Sequence, residues 1–149
     1  NTINVTLTNN GQVMSRIPNS DYLEWEGPAS DIPPHYSLTI KYDNQTTHTF
    51  IDPYSFDPVI PDFDLHLFGE GNHWHVYDIL GANPKTVDGI KGIAFGVWAP
   101  NAARVSIVGN LNNWDGRCHA MRSRGGSGVW ELFIPELKDG DLYKFEIVD

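Results

Sequence analysis

Hydrophobic and polar positions alternate along most of the chain, in short runs separated by Gly, Pro, Asn and Asp. Tyr36, Leu38, Ile40 and Tyr42 fall on one face of an extended backbone, and Ser37, Thr39 and Lys41 on the other. Asp43-Asn44 then supplies turn chemistry before a returning run through Thr47, Thr49 and Ile51, which predicts a hairpin with one buried face. Ile3, Val5 and Leu7 alternate in the same way, and Leu23 with Trp25 predicts a further strand of this first sheet system. The second half repeats the pattern at Ile93, Phe95 and Val97, at Val105 and Ile107, at Trp130, Leu132 and Ile134, and at Tyr143, Phe145 and Ile147. Turn signals bound each run: Pro100-Asn101, Asp115-Gly116, Gly125-Gly126 and Asp139-Gly140. Such spacing predicts sandwiched antiparallel strands.

Helix is nearly absent from the pattern. The one predicted helical stretch is His75 to Leu80, where Gly81 suits a left-handed stop. Residues 52 to 88 form a bridge with seven acids (Asp52, Asp57, Asp62, Asp64, Glu70, Asp78, Asp88) against Lys85 alone. Pro53, Pro58, Pro61 and Pro84 exclude a central strand there. Tyr54, Phe56, Phe63, Leu65, Leu67 and Phe68 are too apolar for a free linker. The predicted fold class is therefore all-β: two immunoglobulin-like β-sandwich modules joined by an ordered Pro/Asp-rich bridge. The expected divisions are 1–60, 61–88 with one short helix, and 89–149.

Composition narrows the function. A chain of 149 residues is too short for a (β/α)8 barrel, which takes about 250. Nineteen acidic against ten basic residues, a formal charge of -9, would repel a phosphate backbone, so neither nucleic acid nor an anionic membrane is expected as a partner. Cys118 stands alone, and neither a basic-then-apolar leader nor an apolar run of about 18 residues is present. The expectation is a reduced, cytoplasmic setting, in which the triplets Asn4-Val5-Thr6 and Asn44-Gln45-Thr46 are chance matches to a glycosylation signal.

Several short matches have simple structural readings. Asp62-Phe63-Asp64 copies the metal-binding pair of nucleotide-sugar transferases, but that chemistry needs an α/β crevice and no βαβ unit is predicted. His73 and His75, with Glu70 and His66 nearby, lack a further ligand at a recognisable spacing, so no metal and no cofactor are assigned. Gly125-Gly126-Ser127-Gly128 lacks the Lys of a phosphate loop and is read as a turn. No pair of carboxylates stands out for glycosidic chemistry, and Trp98 and Trp130, inside alternating runs, are assigned to core or interdomain packing rather than to ligand platforms.

Trp114 is different. It sits in the turn "GNLNNWDGR", among Asn112, Asn113 and Asp115, which offer hydrogen bonds but little apolar cover. A pyranose presents an apolar C–H face that can lie on an indole and a rim of hydroxyls that suit amides and carboxylates, so this turn is chemically sufficient for a weak glucan site. Packing of Trp114 against a neighbouring domain is the competing reading.

The stretches "GVWAPNAARVSIVGNLNNWDGR", "GSGVWELFIPEL" and "GDLYKFEI" resemble the carbohydrate-binding module, family forty-eight, that precedes the catalytic barrel in α-amylase-superfamily enzymes. "DPYSFDPVIPDFDLHLFGEGNHWHVYDILGA" resembles the bridge of one branch, the bacterial 1,4-α-glucan (glycogen) branching enzymes. The resemblance runs over residues 52 to 147, with departures at Asn83, Leu111, Cys118 and Ala120. Residues 1 to 51 would then be the latter part of an N-terminal sandwich module. In glycogen-binding modules of this type, including that of AMP-activated protein kinase, the turn Trp and the Lys of Tyr-Lys-Phe contact glucan. The resemblance thus implies carbohydrate-binding roles for Trp114, Asn113 and Lys144, with α-1,4-glucan or glycogen as partner. Alternation agrees for Lys144, since Tyr143, Phe145 and Ile147 claim the buried face. A second sugar-stacking Trp of the kinase module would fall after Asp149, so the second module is expected to be truncated. The implied reaction is retaining transglycosylation, in which an Asp attacks the anomeric carbon, a Glu protonates the leaving oxygen and a 6-hydroxyl resolves the intermediate. Both carboxylates would belong to a C-terminal catalytic barrel absent here, leaving this chain with no catalytic residues and no activity of its own. A non-catalytic brace and a free-standing glycogen-binding or regulatory module are the alternatives.

Overall fold

The computed structural model describes residues 2–149, with side chains from Asn4 onward, so the Ile3 side chain lies outside the described residues. Strands dominate and the fold is all-β, with a single α-helix among the described residues. The chain divides into two compact units, Asn1–Ser55 and Phe56–Asp149.

In the first unit, β1 (Thr2–Leu7), β2 (Gln12–Val13), β5 (Ser37–Tyr42) and β6 (Thr47–Ile51) form an antiparallel sheet in the order β2-β1-β5-β6. The expected hairpin is β5–β6, with Lys41 opposite Thr47 and Ser37 opposite Ile51. Period-two alternation separates its faces. Val5 and Leu7 are buried on one side, while on the other the Thr39 hydroxyl bonds those of Thr8 and Thr49 at 2.8 Å each. Leu23 falls in β4 (Leu23–Glu24), but β4 pairs with β3 (Ser15–Arg16) in a separate two-stranded ladder rather than joining the main sheet, and Trp25 lies just beyond it. The turn between them is closed by Ile17 N–H donating to the Tyr22 carbonyl at 3.0 Å.

The second unit is organised by a strand pair buried on both faces. β7 (Gly81–Val87), β8 (Ile90–Trp98), β11 (Val129–Pro135) and β10 (Arg122–Ser123) form a sheet in the order β10-β11-β8-β7, and β9 (Arg104–Gly109) pairs with β12 (Tyr143–Val148). Ile93, Phe95, Leu132 and Ile134 point inward and pack with Val105, Ile107 and Met121, which joins the two sheets into a sandwich. Tyr143 and Phe145 close this core as the alternation requires. Ile147 does not: it is 49% exposed. Trp130 is half-buried and its Nε1 donates to the Ala99 carbonyl at 3.0 Å. Trp98, expected in packing, is 55% exposed at the end of β8, with Phe68 against it at 6.2 Å between ring centroids.

The opposite face of the β8–β11 pair is covered by residues 56–80. Phe56 meets Phe133 edge-on at 4.8 Å, and Ile60 and Ile79 pack on Val129 with Leu65, Phe68, Val76 and Leu80 around them. Contact is so close that a Cβ on Gly96 would sit 2.0 Å from the Ile79 carbonyl oxygen, which only glycine permits. The helix is α1 (Asp62–Gly69), not the predicted His75–Leu80, where a 3₁₀ turn spans Val76–Asp78. Pro61 starts α1, Asp62 and Asp64 occupy its first turn, and Gly71 at φ +71 ends it, with its N–H on the Phe68 carbonyl. An eight-residue helix is too short for its hydrophobic period to register, so only these start and stop residues marked it. Pro84 lies in β7, which is an edge strand, as proline requires.

One buried carboxylate holds this layer to the sheet. Glu131, 1% exposed, accepts the N–H groups of Val59 and Ile60 at 2.9 Å each on Oε2 and the Arg124 guanidinium on Oε1. Arg124 also donates to the Ile60 carbonyl at 2.7 Å and to Asp62, and Arg122 to the Phe56 carbonyl at 3.1 Å. Removing one partner of a buried pair leaves the other charge uncompensated, at a cost of about 3–5 kcal/mol. Glu131→Ala should therefore lower the unfolding free energy of the second unit by about that much in a urea titration; a loss below about 1 kcal/mol would show that the carboxylate is not the anchor.

Candidate functional site

The turn that follows β9 is built from its own amides. The Asn112 side chain is 8% exposed and works in three directions. Its Oδ1 accepts the Gly109 N–H at 3.0 Å, and its Nδ2 donates to the Ile107 carbonyl at 2.8 Å and to His119 Nδ1 at 2.9 Å. With the turn pinned from inside, Asn113 and Trp114 both adopt left-handed backbone, at φ 52 and 63. Asn tolerates that conformation, but a bulky residue there is a strained exception. The Trp114 N–H returns to the Gly109 carbonyl at 2.9 Å, and its indole Nε1 donates to Asn110 Oδ1 at 3.1 Å. Backbone strain of this kind persists only where the surroundings over-determine it, and it concentrates at ligand-contacting segments.

The indole is 46% exposed. Lys144 projects beside it from β12, where it stands opposite Val108 of β9, and its Nζ lies 5.9 Å from the Trp114 ring centroid. That is cation–π range, with a contribution of about 0.5–1 kcal/mol at an exposed site. Asn113 is exposed and has no hydrogen-bonding partner for its side chain among the described residues. The three residues singled out from the sequence, Trp114, Asn113 and Lys144, are thus brought together on one open surface of the second unit.

Other polar residues of the turn are committed to its construction. Asp115 receives the Arg117 N–H at 3.0 Å and its guanidinium at 2.6–3.2 Å, and the Arg117 hydrogen bonds hold its carboxyl down at about 2. Arg104 reaches under the turn, donating to the Gly116 carbonyl at 3.2 Å and to Glu146 at 2.8 Å. Sequence reasoning grouped Asn112 and Asp115 with Asn113 as groups suited to a sugar; in the structure Asn112 and Asp115 are engaged within the turn and only Asn113 keeps an unengaged side chain. It also missed Asn110, His119 and Arg104. The signal for the first lay in an Asn-rich turn whose side chains can replace backbone partners, whereas His119 and Arg104 act across the fold and left no local trace.

The remaining candidates are each held by a separate partner. His73 Nε2 lies 2.9 Å from Asp64 Oδ1, His75 Nδ1 2.6 Å from the Tyr77 hydroxyl, and His66 3.3 Å from Glu70. Among the described residues, no three His, Cys, Asp or Glu side chains converge as metal ligands. Asp62 pairs with Arg124 and Asp64 with His73, so the two acids of Asp62-Phe63-Asp64 engage different partners. No helix among the described residues is long and apolar enough to cross a membrane.

The sandwich with this turn at its surface belongs to a recognised class: residues 79–149 match the family described as Carbohydrate-binding module 48 (Isoamylase N-terminal domain). Over about nine tenths of its length the chain is similar to bacterial 1,4-alpha-glucan branching enzymes. The GlgB branching enzyme of Methylococcus capsulatus is 58% identical over 137 residues, 92% of this chain and 18% of that protein. That of Cellvibrio japonicus is 53% identical over 90% of this chain and 18% of the relative, and that of Nitrosococcus oceani 54% over 91% and 18%. The chain spans less than a fifth of the curated relatives it matches.

The Asn112–His119 hydrogen bond makes the turn sensitive to acid. His119 must be neutral to accept from the amide, and burial pushes its pKa below 6.5. Folded protein thus resists protonation while unfolded chain takes up the proton, so the stability is fully present above pH 6.5 and is lost as pH falls from there toward the lower folded value. Urea unfolding of wild type and His119→Gln across this range should show a steeper acid loss in wild type; parallel curves would remove His119 from the account. Asn112→Ala should cost about 1–3 kcal/mol, measured in the same way, with a shift in the near-ultraviolet signal of Trp114.

Proposed function

We propose that this chain is the N-terminal, glucan-binding and scaffolding part of a branching enzyme that transfers α-1,4-glucan segments to a 6-hydroxyl, making the α-1,6 branches of glycogen in the cytoplasm. The observation that carries this reading is the Lys144–Trp114 pair: a half-exposed indole, oriented by Asn110 and flanked by an ammonium and a free amide. Such a surface offers an apolar face to the ring of a glucose unit and directed donors to its hydroxyls. It carries no paired carboxylates aimed at a cleft, which retaining chemistry on a glycosidic bond requires. Chemistry belongs to a catalytic barrel of the longer protein, and the role of this part is to hold polymer near it. A second attachment point raises the effective concentration of chain ends at the catalytic site. The division we propose is a first module of residues 1–55 and a second unit of 56–149, in which residues 61–88 cover and extend the sheet of the carbohydrate-binding module over 89–149.

An open platform with one stacked ring binds weakly, with a dissociation constant on the order of millimolar, because few wet hydrogen bonds offset the ordering of the ligand. In an NMR titration with maltoheptaose, the indole N–H resonance of Trp114 and the backbone amides of Asn113 and Lys144 should shift together and saturate. Lys144→Ala should weaken that binding about two- to fivefold, the loss of one solvent-exposed hydrogen bond worth about 0.5–1 kcal/mol. An unmoved Trp114 indole would refute the site. Incubated with amylose, the purified chain should form no α-1,6 linkages; their appearance would place the chemistry in these residues after all.

A further inference from the structure

The first unit contains a pocket that the glucan reading of Trp114 does not use. Its volume is about 480 Å³, and Gln12, Val13, Ser15, Glu24, Trp25 and Glu26 line it. Gln12 and Val13 belong to β2, at one edge of the four-stranded sheet, and Ser15 stands opposite Glu24 in the β3–β4 ladder. The pocket is therefore framed by main-chain structure rather than by one loose loop.

Trp25 is held in place before any ligand arrives. Its indole Nε1 donates to Gln12 Oε1, and its six-membered ring lies so close to Gly27 that a Cβ there would come within 2.4 Å of Cζ2. A ring fixed at its edge and on its benzo side loses little freedom on binding, which lowers the cost of association. Around it stand an amide whose Nε2 remains a donor, a hydroxyl that donates and accepts, and two carboxylates that only accept. No Lys or Arg lines the pocket, so the two carboxylates repel a phosphate or a sugar acid. The carboxylates are exposed, so they are well hydrated and attract a small ammonium little. What matches an aromatic face ringed by acceptors, an amide and a hydroxyl is a neutral ring that donates several hydroxyl protons.

We infer that the Trp25 pocket is a second carbohydrate site, taking one neutral pyranose unit on the indole of Trp25, with hydroxyls directed to Gln12, Ser15 and the carboxylates of Glu24 and Glu26. It rests on the geometry of the first unit and is separable from the Trp114 site.

The test is a heteronuclear NMR titration of the 149-residue chain with maltoheptaose, following the Trp25 indole N–H and the Gln12 side-chain amide. Both should shift and saturate at about millimolar ligand, and should do so equally in Trp114→Ala. Trp25→Leu should abolish the Gln12 response while the amides of Thr39 and Tyr36 keep their positions. If that variant unfolds the unit, Gln12→Ala should still weaken binding at least about threefold. A Trp25 indole that stays unmoved while Trp114 responds would overturn this inference and leave the Trp114 site standing. Movement of Trp25 alone would do the reverse. A response to tetramethylammonium chloride with none to maltoheptaose would also overturn it, because the pocket would then be a cation site.

Discussion

The second unit depends on the burial of one strand pair from both sides. β8 and β11 give alternate residues to the sandwich core, where Ile93, Phe95, Leu132 and Ile134 pack, and to the layer formed by residues 56–80. Sheet faces buried twice are normally apolar throughout. Glu131 breaks that rule, and the break is informative. A carboxylate at 1% exposure survives only if its lone pairs are filled, and they are filled by two backbone N–H groups of the covering layer and one arginine. The same group that would be costly alone thereby specifies where the covering segment lies. Gly96 sets how closely it approaches.

From that frame the candidate surface around Trp114 follows. β9 is fixed by Val105 and Ile107, both fully buried, so the turn at its end starts from a rigid point. Asn112 then fills its interior with an amide that satisfies both the strand and His119. Left-handed backbone at Asn113 and Trp114 turns the indole outward, and β12 carries Lys144 to its side. The exposed platform thus rests on buried hydrogen bonds of Asn112 as well as on the apolar packing of β9 and Leu111. Its construction accounts for why a turn with so little apolar cover can hold a tryptophan in one orientation.

Strand positions were legible because period-two alternation is a local property: Ile93 to Val97, Val105 to Ile107 and Leu132 to Ile134 read correctly without knowledge of their neighbours. Proximity of Lys144 to Trp114 was implied by resemblance and by the outward phase of β12, and the register with Val108 realises it. What escaped was interaction across long sequence separation. Glu131 with Val59 and Ile60 spans some seventy residues, and in a strand pattern a lone Glu reads as an exposed position. The helix escaped for a different reason, since Pro61, Asp62 and Gly71 mark its ends but eight residues leave no measurable period. Alternation assigns Trp98 a face, and not where along the strand the cover ends.

The central claim is that residues 56–149 behave as one cooperative body in which covering segment, sheet and platform turn share a common stability. Native-state hydrogen exchange of the Val59, Ile60 and Trp114 amides tests it most directly, because all three are donors in the bonds that define this body. Their exchange should be slowed to within about tenfold of the slowest amides of β8 and β11. Exchange of Val59 and Ile60 at rates typical of an open loop, with β8 and β11 still protected, would contradict it.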